Sequence, residues 1–227
     1  MRKKCPKCKL VCYPTAEACD RCGSPLLREH FYRGHRGPFA ARLVKRISVC
    51  VLVCLTILAG FYISLVFSAE PPSFDQRQSI AAAINILDSK GFTSEAMILR
   101  RLAVFRSSDN WLNASVAKEN AFAATNFPFE IVTVYPDFFA YPADDLERAA
   151  ILLHEAKHLQ GADEKEAYEF VWKNRQKLGW TSDIYSGSDT WNEVRKQTRD
   201  YVPHLFVCNV NPFGDCTEPP SGSTSLK

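Results

Sequence analysis

A chain of 227 residues with 46% hydrophobic and 23% charged content is long and apolar enough for one or two domains with a real core, which excludes a purely solvated polymer. Its net charge of +3 conceals an uneven distribution, because residues 1–46 hold twelve Lys/Arg against three Asp/Glu and the remainder holds sixteen against twenty-two. The two parts therefore belong to different surroundings, and no interleaving of basic with aromatic residues singles out nucleic acid as a partner.

The N-terminal segment contains Cys5-x-x-Cys8, ten intervening residues, then Cys19-x-x-Cys22 followed by Gly23. Two such pairs supply four thiolates for one tetrahedral Zn2+, the short turn of each pair bringing its two sulfurs onto the ion. Cys12 is a fifth thiol, and a register that uses it in place of Cys8 stays open. This pattern resembles the zinc ribbon family over residues 1–27, and the resemblance implies a small structural unit folded by its metal. Such a unit suits docking of a cytoplasmic protein partner. Residues 28–46 form a basic linker able to meet anionic lipid headgroups.

Residues 47–69, ISVCVLVCLTILAGFYISLVFSA, carry no charge and as a helix are long enough to cross a bilayer. Cys50 and Cys54 lie within this run and need no role there beyond packing, with lipidation near a membrane face left open. Arg33, Arg36, Arg42, Lys45 and Arg46 precede the run, whereas Glu70, Pro71 and Pro72 follow it. Positive flanks stay in the cytoplasm, so the sequence predicts a single-pass protein with its N-terminus cytoplasmic and its C-terminal domain outside. On that oxidising side Cys208 and Cys216, which enclose a turn-rich loop, are expected to form a disulfide; two separate thiols are the alternative.

Residues 70–78 read as a polar spacer and 79–216 as an outer domain, with a polar tail at 217–227. Ile80, Ala83, Ile84 and Leu87 have helical spacing, with Gly91 as a stop, and predict a helix over about 75–89. SEAMILRRLAVFRSS is a second helical candidate. Residues 129–139, rich in β-branched and aromatic side chains, predict a strand ending near Pro136. Pro142, Asp144 and Asp145 then mark the start of a helix that runs through Leu146, Ala149, Ala150 and Leu153 to His158 or slightly beyond. Asn113-Ala114-Ser115 is a glycosylation sequon only where the compartment glycosylates.

That last helix carries the chemistry. His154, Glu155 and His158 spell H-E-x-x-H, and residues four apart share a helix face, so both imidazoles can address one ion while Glu155 reaches a water beside it. Extended, the segment reads His154-Glu155-x-x-His158-x-x-Gly161-x-x-Glu164, which resembles the metzincin string except that Glu164 stands where that family has His or Asp. Glu164-x-x-Ala167-x-x-Phe170 resembles the E-x-x-A-x-x-F pattern of gluzincins, whose glutamate completes the zinc shell. Both resemblances select Glu164 as third ligand and imply a catalytic Zn2+ with Glu155 as general base. Glu166 and Asp163 remain alternative ligands, and Tyr168, Tyr185, Tyr201 and His204 are candidate donors to an oxyanion.

The sequence thus predicts a multidomain chain: a zinc ribbon, one transmembrane helix and a mostly helical α+β zincin-like domain. The expected function is hydrolysis of peptide or protein substrates outside the cytoplasm by a membrane-anchored zinc metallopeptidase. The competing expectation is a noncatalytic binding or assembly protein whose two metals are both structural.

Overall fold

The computed structural model describes residues 2–26, 31–32, 39–115, 122–209, 211 and 214–218, and the chain divides into two units, Met1–Leu58 and Ala59–Lys227. In the first unit, β1 (Arg2–Lys4) pairs antiparallel with β2 (Val11–Cys12) and with β3 (Phe31–Tyr32), so the small sheet takes a strand from beyond the expected domain end at residue 27. Strands this short bury little; the apolar cluster here is Cys5, Cys12, Cys19 and Leu26.

Each Cys-x-x-Cys segment closes the same turn. Lys9 N–H donates to the Cys5 carbonyl at 3.0 Å and Cys5 N–H to that of Leu10 at 2.8 Å; Gly23 N–H donates to the Cys19 carbonyl at 2.8 Å and Cys19 N–H to that of Ser24 at 2.9 Å. Both turns end on a residue in the left-handed region, Gly23 at φ 67° and Lys9 at φ 62°.

Helix α1 (Phe39–Phe67) begins inside the expected linker, of which 28–30 and 33–38 lie outside the described residues. Its stretch Ala41–Phe67 is long and apolar enough to cross a membrane, and only 6% of its most apolar window is buried. A soluble core helix would hide that surface.

The second unit is built around one helix. After α2 (Phe74–Ser89) and α3 (Thr93–Arg101), the sheet is ordered β4 (Val104–Arg106), β6 (Ile131–Val134), β5 (Ala123–Asn126), with β4 parallel and β5 antiparallel to β6. Ser73 and Gln76 form a reciprocal cap that starts α2 within the expected spacer. Then come α4 (Pro136–Ala140), α5 (Asp145–Leu159), α6 (Glu164–Leu178), α7 (Ser182–Tyr185) and α8 (Asp189–Tyr201). Helix α5 buries Ala149, Ala150, Ile151, Leu152, Leu153 and Ala156 and packs on α2, α3, α6 and β5. Its apolar lead-in is therefore the centre of the core.

One expectation needs correction. Helix α3 stops at Arg101, and Val104–Arg106 is strand, because the parallel pairing of Val104 with Ile131 recruits Val104 and Phe105 into the sheet. The strand expected within 129–139 is present as β6 and ends at Val134, near Pro136 as expected, since Pro136 fixes the first turn of α4. The expected polar tail lies outside the described residues from 219 onward.

Trp172 of α6 forms an aromatic cluster with Trp180, Trp191 and Phe206, with Trp180 and Trp191 centroids 4.8 Å apart. Arg175 is fully buried against it and answers with ion pairs to Asp215 at 2.7 Å and Glu218 at 3.0 Å. The loop that brings Asp215 is closed by a Cys208–Cys216 disulfide. Asn113 is 7% exposed and its side chain bonds both Thr133 and Asn126, so the sequon offers no free acceptor amide in the folded protein.

Candidate metal centres and the cleft beside α5

Cys5, Cys8, Cys19 and Cys22 bring four sulfurs to one point, with Cys5–Cys22 and Cys8–Cys19 at 3.5 Å and Cys8–Cys22 at 3.6 Å. Sulfurs about 2.3 Å from a tetrahedral zinc stand about 3.8 Å from one another, so the four corners fit one ion closely. Cys12 is apart from this group, buried behind it with its thiol toward the Leu10 carbonyl. The Ser24 side chain and backbone hold the Cys22 thiol down at about 6. Leu10's backbone favours the Cys8 thiolate, but burial and the bonds to its three cysteine neighbours outweigh it and push Cys8 up to about 12. Four crowded sulfurs resist a fourfold negative charge, and a divalent cation relieves that conflict.

The second centre is assembled by a helix–turn–helix. Asp144 caps α5 by accepting from Leu146 and Glu147 N–H, and the helix then carries His154 and Glu155 on one turn and His158 on the next. Gly161, at φ 86°, takes the left-handed step that ends α5, with Gly161 N–H on the His158 carbonyl and Ala162 N–H on that of Lys157. Asp163 caps α6 at once, and the first residue of α6 is Glu164. The turn therefore returns a carboxylate to the histidines it has just left.

His154 Nε2 lies 2.9 Å from His158 Nε2, and Glu164 Oε2 lies 3.2 Å from the first and 3.5 Å from the second. Nitrogen and oxygen ligands at about 2.0–2.1 Å from a tetrahedral zinc stand about 3.3 Å apart, so this triangle fits three corners of one divalent cation. Of the alternative ligands, Glu166 and Asp163 are occupied by each other: Glu166 N–H donates to Asp163 at 2.8 Å, and the Glu166 carboxylate accepts from Asp163 N–H. The Ala162 carbonyl accepts from Nδ1 of His158 at 2.9 Å, which places a proton on that nitrogen and turns Nε2 toward the triangle. The ring of His154 is held differently, by the ring of Tyr168 at 4.3 Å; among the described residues its buried Nδ1 has no hydrogen-bond partner.

Electrostatics here favour the charged forms. Burial opposes a charge on His158, but the bond to Glu164 and the nearby Glu155 carboxylate prevail and raise it to about 9. Bonds from both histidines hold Glu164 well below the usual carboxylate range.

Glu155 is 4% exposed and its Oε2 accepts from the Thr125 hydroxyl at 2.7 Å. It lines a cleft of about 660 Å³ together with both histidines, Glu164, Phe127, Tyr168 and Tyr201. Strand β5 forms one wall, and its outer edge has no strand partner among the described residues. Tyr168 and Tyr201 stack at 5.2 Å, and the Tyr168 hydroxyl donates to Gln197. Burial pushes the Tyr168 hydroxyl far up, so it stays protonated. The other two candidate donors do not reach this cleft: Tyr185 donates to Asp144 at 2.7 Å, and His204 sits on the surface near Glu169.

No family model, curated protein or solved structure matches the chain.

Sequence reasoning missed Thr125 and the Ala162 carbonyl. AATN carries one β-branched residue in four, too weak a signal to announce a strand, and a backbone carbonyl leaves no mark in a sequence.

Proposed function

We propose that this protein is a membrane-anchored zinc metallopeptidase hydrolysing peptide bonds outside the cytoplasm, with His154, His158 and Glu164 as ligands of a catalytic Zn2+ and Glu155 as general base. The observation that carries this reading is the three-cornered cluster, 2.9–3.5 Å on a side, opening on a cleft with Glu155 in its lining. Three protein ligands leave a fourth position for substrate, which is how catalytic zinc differs from structural zinc. Zinc bound there supplies a Lewis acid that polarises the scissile carbonyl.

Glu155 takes a proton from the attacking water and delivers it to the leaving amine. Thr125 holds that carboxylate in one orientation through its 2.7 Å bond. The free edge of β5 offers backbone donors and acceptors to a substrate in extended conformation. The four-cysteine unit holds a structural Zn2+ and serves as a cytoplasmic docking knob, with α1 crossing the bilayer between the two. The basic flank before the apolar run and the disulfide after it favour this orientation.

The test is mass spectrometry of peptides exposed to the purified protein, wild type against Glu155→Gln. Glutamine keeps size and hydrogen bonding but accepts no proton at neutral pH, so the rate is expected to fall by roughly 10² to 10⁴ with zinc content unchanged. Equal cleavage by both, or none by either with both zincs bound, turns the reading into that of a noncatalytic binding protein.

A further inference from the structure

We propose that the outer unit is seated in the lipid surface by a wedge of Phe67, Trp111, Leu112 and Phe127 that continues the membrane helix, so that the cleft acts on polypeptides anchored in the same bilayer. The inference rests on the membrane-anchored peptidase reading and names its substrate class.

The last two turns of α1 belong to the second unit and are gripped by it. Phe61 packs against Trp111 at 5.3 Å and Phe129 at 5.2 Å between ring centroids. Trp111 Nε1 donates to the Ser64 hydroxyl at 3.2 Å, Arg106 Nε to the Val66 carbonyl at 3.0 Å, and Leu65 is fully buried. Just beyond the helix, Glu70 N–H donates to Ser108 and Ser107 N–H to the Glu70 carbonyl. The second unit thus holds the end of the helix from Phe61 onward directly.

That clamp fixes a depth. Phe61 precedes the end of α1 at Phe67 by six residues, which is about 9 Å along a helix. The uncharged run continues to Ala69, so a helix that fills a hydrocarbon layer of about 30 Å carries Phe61 beneath the outer boundary of that layer. Trp111 and Phe129, in contact with Phe61, then lie just beneath that boundary. The surface presented there matches lipid: Phe67 is 83% exposed, Phe127 60% and Trp111 46%. An indole with its ring on an apolar neighbour and its N–H on a hydroxyl suits the interface, where one end of the ring is dry and the other wet. Glu70, Arg106 and Glu130, which flank these residues in sequence, limit the wedge to headgroup depth.

Phe127 also lines the cleft, and its ring tip lies 4.0 Å from where a Cβ on Gly161 would stand. The wedge and the turn that organises the metal ligands are therefore neighbours. A cleft whose rim is at headgroup level meets peptide bonds close to the membrane more readily than those of a freely diffusing chain.

Trp172, Trp180 and Trp191 are at most 1% exposed, so Trp111 is the tryptophan that lipid can reach. The full-length protein, reconstituted in phosphatidylcholine vesicles, should lose part of its tryptophan emission when the acyl chains carry bromine. Bromines near the headgroup end should quench more than bromines near the chain tip, and Trp111→Phe should abolish the effect. No quenching, or the same quenching in Trp111→Phe, overturns the seat. Release of the protein from vesicles by an alkaline wash overturns membrane anchorage and the seat with it. A peptide library acylated onto the vesicles should be cut at least tenfold faster than the same library in solution; a faster cut of the free library overturns the substrate class. Quenching at the expected depth with neither library cut upholds the seat and removes the peptidase reading alone.

Discussion

Cys5, Cys8, Cys19 and Cys22 surround one point on all sides, whereas His154, His158 and Glu164 hold three corners and leave the fourth to a cleft of about 660 Å³. The two centres also differ in what supports them. Among the described residues of the first unit the buried cluster is Cys5, Cys19, Cys12 and Leu26, with Cys8, Cys22 and Ala16 packed against it. The histidines stand on α5, whose other side is the hub of a core containing three buried tryptophans. A metal in the first place replaces a core; a metal in the second is mounted on one that exists without it.

The sharpest way to break this contrast is to remove one centre at a time from the full-length protein. Cys19→Ser and His154→Ala should each reduce bound zinc from two ions to one by metal analysis. Their other effects should diverge: Cys19→Ser loses the amide dispersion of residues 2–26 in an NMR spectrum, and His154→Ala keeps its helical circular dichroism while losing all hydrolysis. If His154→Ala unfolds the second unit, its metal is structural and the comparison collapses.

Next in size is a change that touches the core of the second unit and neither metal. Asp215 accepts from both Trp172 Nε1 at 2.9 Å and Arg175 at 2.7 Å, and all three are buried. Asp215→Ala leaves the guanidinium in an apolar site with Glu218 as its remaining carboxylate, and breaking such a pair costs about 3 kcal/mol or more. Calorimetry should show the second unit melting on the order of 10 °C lower, with zinc content unaltered. An unchanged melting point would mean that Glu218 alone compensates.

What was legible beforehand follows the same division. The cysteine spacing, the uncharged run and H-E-x-x-H are strong local patterns, and the residues they named converge in space because short turns and one helix face bring them together. Glu164 was marked by two resemblances, and the physical reason for its position is Gly161, whose left-handed conformation reverses the chain. The sheet was hardly legible. Its three strands are three or four residues long, β4 pairs with β6 across the 24 residues 107–130, and that pairing turned an apparent helix end into strand. Thr125 was hidden with it, although it touches the proposed base.

Thr125 accordingly makes a finer test of the second centre. Thr125→Val keeps the shape and the strand propensity of the side chain but removes the hydroxyl that holds Glu155. A hydrogen bond to a charged group is worth about 1.5–3 kcal/mol, so the expected loss is roughly 10- to 150-fold in kcat, with zinc content and KM retained. Loss of zinc instead would place Thr125 among the supports of the metal rather than of the base.

The smallest expected effect lies in the first centre and sets its two turns against each other. Both turns share one hydrogen-bond pattern, yet one closes on Gly23 and the other on Lys9, each at positive φ. A side chain in the left-handed region costs about 1 kcal/mol, whereas glycine adopts it freely, so Lys9→Gly should bind zinc slightly more tightly, by up to about fivefold in competition with a chelator. Gly23→Lys should weaken binding by a similar factor and no more, because nothing lies within 4 Å of where its Cβ would stand. Equal and opposite shifts would establish the turns as equivalent halves of one metal clamp. A much larger loss in Gly23→Lys would show that the second turn carries most of the folding, with Lys9 tolerated because the first turn closes after the metal has already bound.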